Sequence, residues 1–331
     1  MKVVFIIPYY GEFPNYFKLF LKTCQNNLDY NWIIFSENNA RYVYPDNVCY
    51  VEMPWQKLKI LVQSKFDFKI SLDTPYKLCD FKPAYGYIFE EYIEDYDYWG
   101  YCDMDLLWGD LKAFIPYEKI EKFDKIGHLG HMTLFRNSKD INRLFMSKID
   151  NIFRYKEIFM SSQSLIFDEW NWISINHIFI KKNKKVWLFE DFFDIYPYDD
   201  NFKKVIRKIP VKNESYGKDV IEMEPSFASI EKGKAYQWKF NNKKWVKSEI
   251  SYLHFQKRTM QVFVEDSTEK ILCVPDQFVP FDGEHISNQY LKKMKLHCFL
   301  NKKSFNLKKK KIIYWIIEKS STIRRIFQHG L

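Results

Sequence analysis

Paired cysteines with metal-binding or redox spacing are missing from this chain. Its six cysteines include no Cys-x-x-Cys pair, so neither a zinc knuckle nor a redox dithiol is indicated. Cys24 and Cys102 lie in apolar patterns and are predicted to be small buried hydrophobic residues. This use of cysteine fits a reducing cytosol.

Long apolar runs are missing as well. The first apolar run covers residues 3–7 and ends at Pro8, which is too short for the apolar core of a signal peptide. No later run approaches the length that crosses a membrane. We therefore expect a cytoplasmic protein.

The net positive charge of the chain comes from one end. Residues 292–331 contain 12 Lys and Arg and one acidic residue, a net charge of +11. The remaining 39 basic and 41 acidic residues give −2. A nearly neutral body argues against a general nucleic-acid surface, and the basic tail predicts a local anionic partner.

The order of patterns in the first hundred residues predicts an α/β fold. The chain has 47% hydrophobic and 19% aromatic residues, which excludes disorder for most of its length. Strand, helix, strand, strand, helix and strand is an arrangement typical of nucleotide-binding domains. The predicted strands are residues 3–7, 31–35, 48–51 and 97–102; the predicted helices are residues 13–24, 55–66 and about 83–93.

The fourth predicted strand closes in two carboxylates, Asp103 and Asp105. On an extended backbone they point to the same side, and such hard oxygen ligands suit Mg²⁺ or Mn²⁺, which can bridge a diphosphate. Asp95-x-Asp97 has the same spacing, but it lies in a polar, Glu-rich helix end instead of closing an apolar run. The alternative is that Asp103 and Asp105 only cap a turn.

Polar residues also follow the other predicted strands. Ligands of α/β sheets bind beyond the carboxyl ends of the strands. We therefore predict donor contacts for the residues found there, which are Tyr9, Tyr10, Ser36, Glu37 and Asp103.

Two later segments are candidates for the acceptor side. His128 and His131 flank Gly130 in a loop predicted to approach a ligand closely, although they can equally be surface or edge-strand histidines. Asp168 and Glu169 follow an apolar stretch. They can act as a general base on an acceptor hydroxyl or form a hydrogen bond to the acceptor sugar. The alternative is an acidic pair at a helix N-terminus.

The end of a late predicted strand supplies three further candidates. His254 is a candidate third metal ligand, and the alternative is a packed core histidine. Lys257 and Arg258 follow it directly. Their charges can neutralise a leaving diphosphate.

Together these segments resemble a GT-A type nucleotide-sugar glycosyltransferase. More narrowly, they resemble an uncharacterised bacterial family from surface-polysaccharide (capsule and O-antigen) gene clusters. The resemblance covers about residues 1–260. The segments that carry it are residues 6–10, 36–38, 82–86, 98–105, 127–131, 167–170 and 252–258.

The resemblance implies a mixed sheet flanked by helices and a metal-dependent transfer of sugar. In GT-A enzymes the Asp-x-Asp carboxylates bind a divalent metal on the donor diphosphate, and in several GT-A families a C-terminal histidine completes that site. This implies Mn²⁺ or Mg²⁺ on Asp103, Asp105 and His254. It also implies donor contact by Lys82, a UDP-sugar as the favoured donor, and a lipid-linked glycan acceptor.

The expected organisation is one domain with a tail. Residues 1–260 would form the GT-A domain, with the donor part at about 1–110 and the acceptor part at about 111–260. Residues 261–331 would form an extension with basic amphipathic helices that hold the enzyme peripherally at the inner face of the plasma membrane. The alternatives are a metal-dependent nucleotidyl- or phosphotransferase and a non-catalytic membrane-associated protein on a degenerate GT-A fold.

Truncation of the chain near residue 290 tests the role of the tail. The shortened protein should remain folded. Each cation near an anionic leaflet contributes on the order of 1 kcal/mol to membrane binding, weakened by salt, so loss of the tail should release the protein from anionic vesicles. Sedimentation of both forms with vesicles at low and high salt measures this. Equal sedimentation would show that the tail is not the anchor.

Overall fold

The computed structural model describes most of the chain up to residue 282. Lys257 and the whole basic tail lie outside the described residues, so the predictions for them stay predictions. The described ranges are 1–38, 41–169, 174–196, 204–208, 218–221, 226–241, 244–256, 258–274 and 276–282.

Within these ranges the fold is mixed α/β. The helices are α1 (Phe17–Gln25), α2 (Trp55–Ser64), α3 (Leu78–Phe81), α4 (Tyr85–Ile88), α5 (Leu111–Phe114), α6 (Tyr117–Ile120), α7 (Lys139–Asn142), α8 (Arg154–Met160) and α9 (Ile175–Lys181), with 3₁₀ turns at Pro75–Lys77, Lys82–Ala84, Glu90–Tyr92 and Leu144–Met146. The strands are β1 (Val3–Pro8), β2 (Tyr30–Ser36), β3 (Val48–Glu52), β4 (Tyr98–Cys102), β5 (Leu106–Trp108), β6 (Lys125–Leu129), β7 (Met132–Arg136), β8 (Val186–Trp187), β9 (Phe193–Asp194), β10 (Val205–Lys208), β11 (Lys218–Ile221), β12 (Ser226–Glu231), β13 (Lys234–Asn241), β14 (Lys244–Ile250), β15 (Tyr252–His254), β16 (Gln261–Val262), β17 (Lys270–Val274) and β18 (Gln277–Pro280).

The largest sheet of the described chain has the strand order β3-β2-β1-β4-β7-β6-β8. The first four of these strands run parallel, which confirms the four predicted strands, and β7 runs antiparallel to both β4 and β6. The carboxyl ends of β1, β2 and β4 therefore meet the start of β7 at one edge. That edge is where ligands of open α/β sheets bind.

Strand β1 is buried on both faces. Val3, Phe5 and Ile7 pack into one apolar cluster, together with α1, and Val4 and Ile6 pack into a second cluster on the other face. The alternation follows the two-residue period of a strand, and burial on both faces accounts for the unbroken apolar run in the sequence.

Two smaller sheets cover the first of these faces. One has the order β14-β13-β12-β17-β18-β16, and its inner residues belong to the same apolar cluster as α1. The other has three strands in the order β5-β15-β9. Because β16–β18 pair in the same sheet as β12–β14, the domain boundary predicted at residue 260 passes through a sheet.

The single helix predicted from Pro83 to about residue 93 is wrong. Over these residues the chain forms one short helix, α4, with 3₁₀ turns at Lys82–Ala84 before it and Glu90–Tyr92 after it. Pro83 has no backbone N–H to continue a helical ladder. Gly86 lies against the Trp99 indole, and an added Cβ would overlap that ring. The segment is therefore shaped by packing onto Trp99.

Other features of the described chain follow the sequence. Cys24 and Cys102 are buried, as predicted. None of the helices in the described ranges has the length and apolar character that crossing a bilayer requires.

Lys125 is a charged residue in the core of the main sheet. It is fully buried at the start of β6 and donates hydrogen bonds to the Gly127 carbonyl and, over 2.7 Å, to Asn176 Oδ1. Asn176 in turn donates to the carbonyl oxygens of His128 and Glu169. Burial lowers the pKa of Lys125 to about 7.

The pH dependence of stability should reveal this lysine. Because the folded pKa is about 7 and the unfolded value is 10.5, the unfolded chain binds more protons between these values, so the contribution of Lys125 to stability rises with pH across that window. Relative to Lys125→Met, the free energy of unfolding of the wild-type protein should rise by on the order of 4 kcal/mol between pH 7 and 10.5. Urea unfolding of both proteins measures it.

The exposed Lys122 supplies the control. Lys122→Met should leave the pH dependence of the wild-type protein unchanged. If the wild-type protein and Lys125→Met differ by a constant free energy of unfolding across this pH range, the lowered pKa of Lys125 is contradicted.

Candidate metal centre

The three-stranded sheet joins Asp105 to His254. Strand β5 begins directly after Asp105 and pairs antiparallel with β15, so that His254 lies opposite Leu106. The Phe255 N–H also donates to the Asp105 carbonyl over 3.0 Å. Asp103 follows the end of β4, where its N–H donates to the His131 carbonyl over 2.9 Å. Backbone pairing therefore brings together side chains far apart in the sequence.

The ligand atoms of Asp103, Asp105 and His254 all lie within 4.8 Å of one another. His254 Nε2 is 3.6 Å from Asp105 Oδ1 and 3.9 Å from Asp103 Oδ2. This confirms the predicted proximity of His254 to the Asp-x-Asp pair. Two carboxylate oxygens and one imidazole nitrogen fit a divalent cation, and the imidazole favours Mn²⁺ over Mg²⁺.

The charge balance also favours a cation here. Burial alone would lower the pKa of His254, but the carboxylates of Asp194 and Asp105 outweigh it and raise the pKa to about 10. When the His254 imidazole is neutral, the carboxylates around it leave the centre with a net negative charge, which a divalent cation can balance.

Asp194 is a residue of this centre that sequence reasoning missed. It is fully buried, and its Oδ1 lies 2.8 Å from His254 Nδ1. With His131 and His254 it forms a second group of possible ligands. The sequence around Asp194 is acidic and typical of a loop, so it indicates no role for this residue. The available signal is the apolar pair Phe192-Phe193 before it, because Phe193 begins the two-residue strand β9.

Lys82 connects the metal ligands to the acidic pair. Its Nζ donates to Asp103 Oδ1 over 2.7 Å and to the Gly130 carbonyl over 2.8 Å, and it lies 3.7 Å from Asp168 Oδ2. Burial opposes the charge on Lys82, but Asp103, Cys79 and Asp168 raise its pKa well above the usual value. The predicted donor-side lysine therefore lies between both halves of the site.

Asp168 and Glu169 meet the loop at Gly130. Asp168 is buried, and a Cβ at Gly130 would overlap its carboxylate, which explains why glycine stands there. Glu169 Oε1 accepts the Gly130 N–H over 3.0 Å. Burial raises the pKa of Asp168 to about 8, with Lys82 opposing the shift and Glu169 and Asp103 adding to it.

A buried ion pair holds the segment before Asp168. Asp80 accepts hydrogen bonds from the backbone N–H groups of Leu165 and Phe167, and Lys77 Nζ lies 2.7 Å from Asp80 Oδ2. Between them, Ile166 has a φ of 55°, which is unfavourable for a β-branched residue. The sequence singled out neither Lys77 nor Asp80.

The residues predicted at the strand ends lie along the same edge. Burial raises the pKa of the Tyr9 hydroxyl, and the charges of Asp105 and Asp103 raise it further; this hydroxyl donates to the Glu12 carbonyl over 3.1 Å. Tyr10 packs edge-on against Trp55, with ring centroids 4.9 Å apart. Glu37 Oε2 accepts the Trp55 N–H over 2.8 Å, and Ser36 Oγ accepts the Asn38 N–H over 3.1 Å.

The remaining predicted residues are more enclosed. His128 and His131 are both buried. The His131 ring lies beside the His254 ring, with centroids 4.3 Å apart. The acceptor roles of His128 and His131 stay predictions. Arg258 is also buried and donates to the Tyr196 carbonyl over 3.1 Å.

Asp97, of the competing Asp-x-Asp pattern, accepts the Lys2 N–H at the start of β4, far from this edge.

Fold and site together define a mixed α/β protein with a candidate Asp–Asp–His metal centre at the carboxyl ends of parallel strands. The chain belongs to the family of unknown function DUF6625, which matches residues 5–282. No curated protein and no solved structure matches it.

Loss of either carboxylate should weaken metal binding. Asp103→Asn and Asp105→Asn each remove a charged ligand at a strand end without opening a cavity, so the fold should persist while Mn²⁺ affinity falls at least about tenfold, or 1.4 kcal/mol. Isothermal titration with Mn²⁺ measures this. Asp95→Asn, in the exposed competing pattern, is the matched control. Wild-type affinity in both ligand variants would remove the assignment.

Proposed function

We propose that this protein is a metal-dependent glycosyltransferase of the GT-A type that uses a nucleotide-diphosphate sugar, with a UDP-sugar as the favoured donor. The observation that carries the proposal is the meeting of Asp103, Asp105 and His254 at the carboxyl edge of the parallel strands. A metal centre at this edge lies where an α/β sheet binds nucleotides.

The donor side of the centre opens to solvent at Asp103. The Asp103 side chain is 34% exposed, whereas Asp105 and His254 are buried behind it, so a diphosphate would approach from the Asp103 side. A divalent cation on these ligands neutralises charge on the leaving diphosphate. The charges of these carboxylates act on the Tyr9 hydroxyl, and Lys82 adds a cation 2.7 Å from Asp103 Oδ1.

Asp168 has the properties of a general base. A carboxylate with a pKa of about 8 is near the value at which proton transfer is most effective at neutral pH. In an inverting transfer, Asp168 takes the proton of the acceptor hydroxyl. The acceptor oxygen then bonds to the sugar carbon while the diphosphate departs with the bonding electron pair. Lys82, 3.7 Å away, holds the carboxylate in place.

The acceptor we propose is a lipid-linked glycan at the inner face of the plasma membrane, as in surface-polysaccharide synthesis. The support is the charge distribution, with +11 in residues 292–331 and −2 elsewhere. Such a tail is attracted to an anionic leaflet, while the body offers no excess of positive charge for nucleic acid.

A metal-dependent nucleotidyl- or phosphotransferase is the second candidate. The same three ligands would suit a diphosphate whose phosphorus is attacked. The products separate these activities. Transfer of sugar releases a free nucleoside diphosphate, attack on the α-phosphorus transfers the nucleotidyl group and releases a sugar phosphate, and attack on the β-phosphorus transfers the sugar phosphate and releases a nucleoside monophosphate.

The pH profile of the reaction tests the base. Since the deprotonated carboxylate accepts the proton, turnover of a UDP-sugar with a soluble acceptor should rise as pH increases through about 8 and then level off. Asp168→Asn should lose roughly 10²- to 10⁴-fold in kcat. Nucleoside diphosphate release is the measurement, and the exposed Asp140, changed to Asn, is the control. An unaltered rate and profile in Asp168→Asn, or a product that retains the donor's anomeric configuration, would rule out this base.

A further inference from the structure

We propose that Asp194 is a positioning residue that aims His254 at the metal. The inference rests on the proposed metal-dependent function, because it concerns the same centre. Asp194 is fully buried at the end of β9. Strand β9 pairs parallel with β15, and the register sets Asp194 directly beside His254.

The two nitrogens of the His254 ring face different partners. Nδ1 lies 2.8 Å from Asp194 Oδ1, while Nε2 faces Asp105 and Asp103 at 3.6 and 3.9 Å. When Nδ1–H donates to Asp194, the lone pair of Nε2 is directed towards the two carboxylates. A carboxylate behind a ligating histidine fixes its tautomer and ring orientation and raises its basicity as a ligand.

Asp194 is itself held on several sides. Gln256 Nε2 donates to Asp194 Oδ1 over 2.6 Å. The next residue, Ile195, donates its N–H to the His254 carbonyl over 3.0 Å. The His131 ring lies against the His254 ring at an interplanar angle of 31°. The imidazole therefore has a carboxylate at its edge and a second ring beside it.

Asp194 belongs behind the metal and not among its ligands. A cation bound to His131, Asp194 and Nδ1 of His254 would displace the hydrogen bond at that nitrogen. These three residues are all buried, whereas the Asp103 side chain is 34% exposed. Only the group that contains Asp103 is open to a diphosphate.

The test measures Mn²⁺ affinity of the full-length protein by electron paramagnetic resonance of free Mn²⁺. Asp194→Asn keeps the size of the side chain but can present an amide N–H to Nδ1, so we expect affinity to fall about 10- to 100-fold. Gln256→Leu removes the hydrogen bond from Nε2 to Asp194 Oδ1, and a smaller loss of affinity is expected. Asp191→Asn removes the same charge at an exposed position three residues away and should change nothing.

A spectroscopic readout separates positioning from general damage. Electron spin-echo spectroscopy of bound Mn²⁺ should detect one coupled imidazole nitrogen in the wild-type protein and none in His254→Ala. The coupling should be altered in Asp194→Asn, whose circular dichroism should match the wild type. His131→Phe should keep both the coupling and the affinity within a few-fold, because His131 is not a ligand.

The outcomes distinguish this inference from the proposed function. A wild-type protein that binds no Mn²⁺ would overturn both. Binding by the wild type together with equal affinity and an unaltered nitrogen coupling in Asp194→Asn would overturn the positioning role alone. Loss of Mn²⁺ in His131→Phe with retention in Asp103→Asn would place the metal on the buried group and also overturn it.

Discussion

The pairing of β15 with β5 is the constraint on which the centre depends. Strand β5 starts immediately after Asp105, and three backbone positions of β15 lie opposite it. Since β9 pairs on the other side of β15, the same three-stranded sheet fixes His254 and Asp194. Side chains from three distant parts of the chain thus obtain their separations from main-chain hydrogen bonds, which are far less adjustable than side-chain contacts.

That geometry gathers negative charge where water is largely excluded. Asp105, Asp168 and Asp194 are all buried, and burying a charge is costly unless it is paired. Two basic side chains lie against them. Lys82 lies between Asp103 and Asp168, and His254 lies between Asp105 and Asp194. The consequences differ on each side: the pKa of Asp168 rises despite Lys82, while that of His254 rises because its carboxylates outweigh burial.

The parts of this arrangement that could be predicted from sequence are those with a local pattern. Apolar runs predict β1, β2 and β4, and the Asp-x-Asp spacing at the end of such a run predicts two metal ligands. Asp97 is excluded as a ligand because it does not close an apolar run. Asp194 could not be found this way, because a two-residue strand has too few positions to show a period. The helix expected after Pro83 forms only in part, since α4 ends at Ile88 and a 3₁₀ turn follows at Glu90–Tyr92.

The segment that presents Asp168 shows how the fold sustains an unfavourable backbone at the site. A β-branched residue with a φ of 55°, such as Ile166, costs on the order of 1–3 kcal/mol. The cost is offset locally, because the N–H groups on both sides of Ile166 are bonded to the buried carboxylate of Asp80, and Lys77 neutralises that carboxylate. The strain lies two residues before Asp168, and Gly130 leaves the space that its carboxylate occupies. The buried Lys77–Asp80 pair therefore belongs to the site as much as to the core, because it determines where the acidic pair stands relative to Lys82.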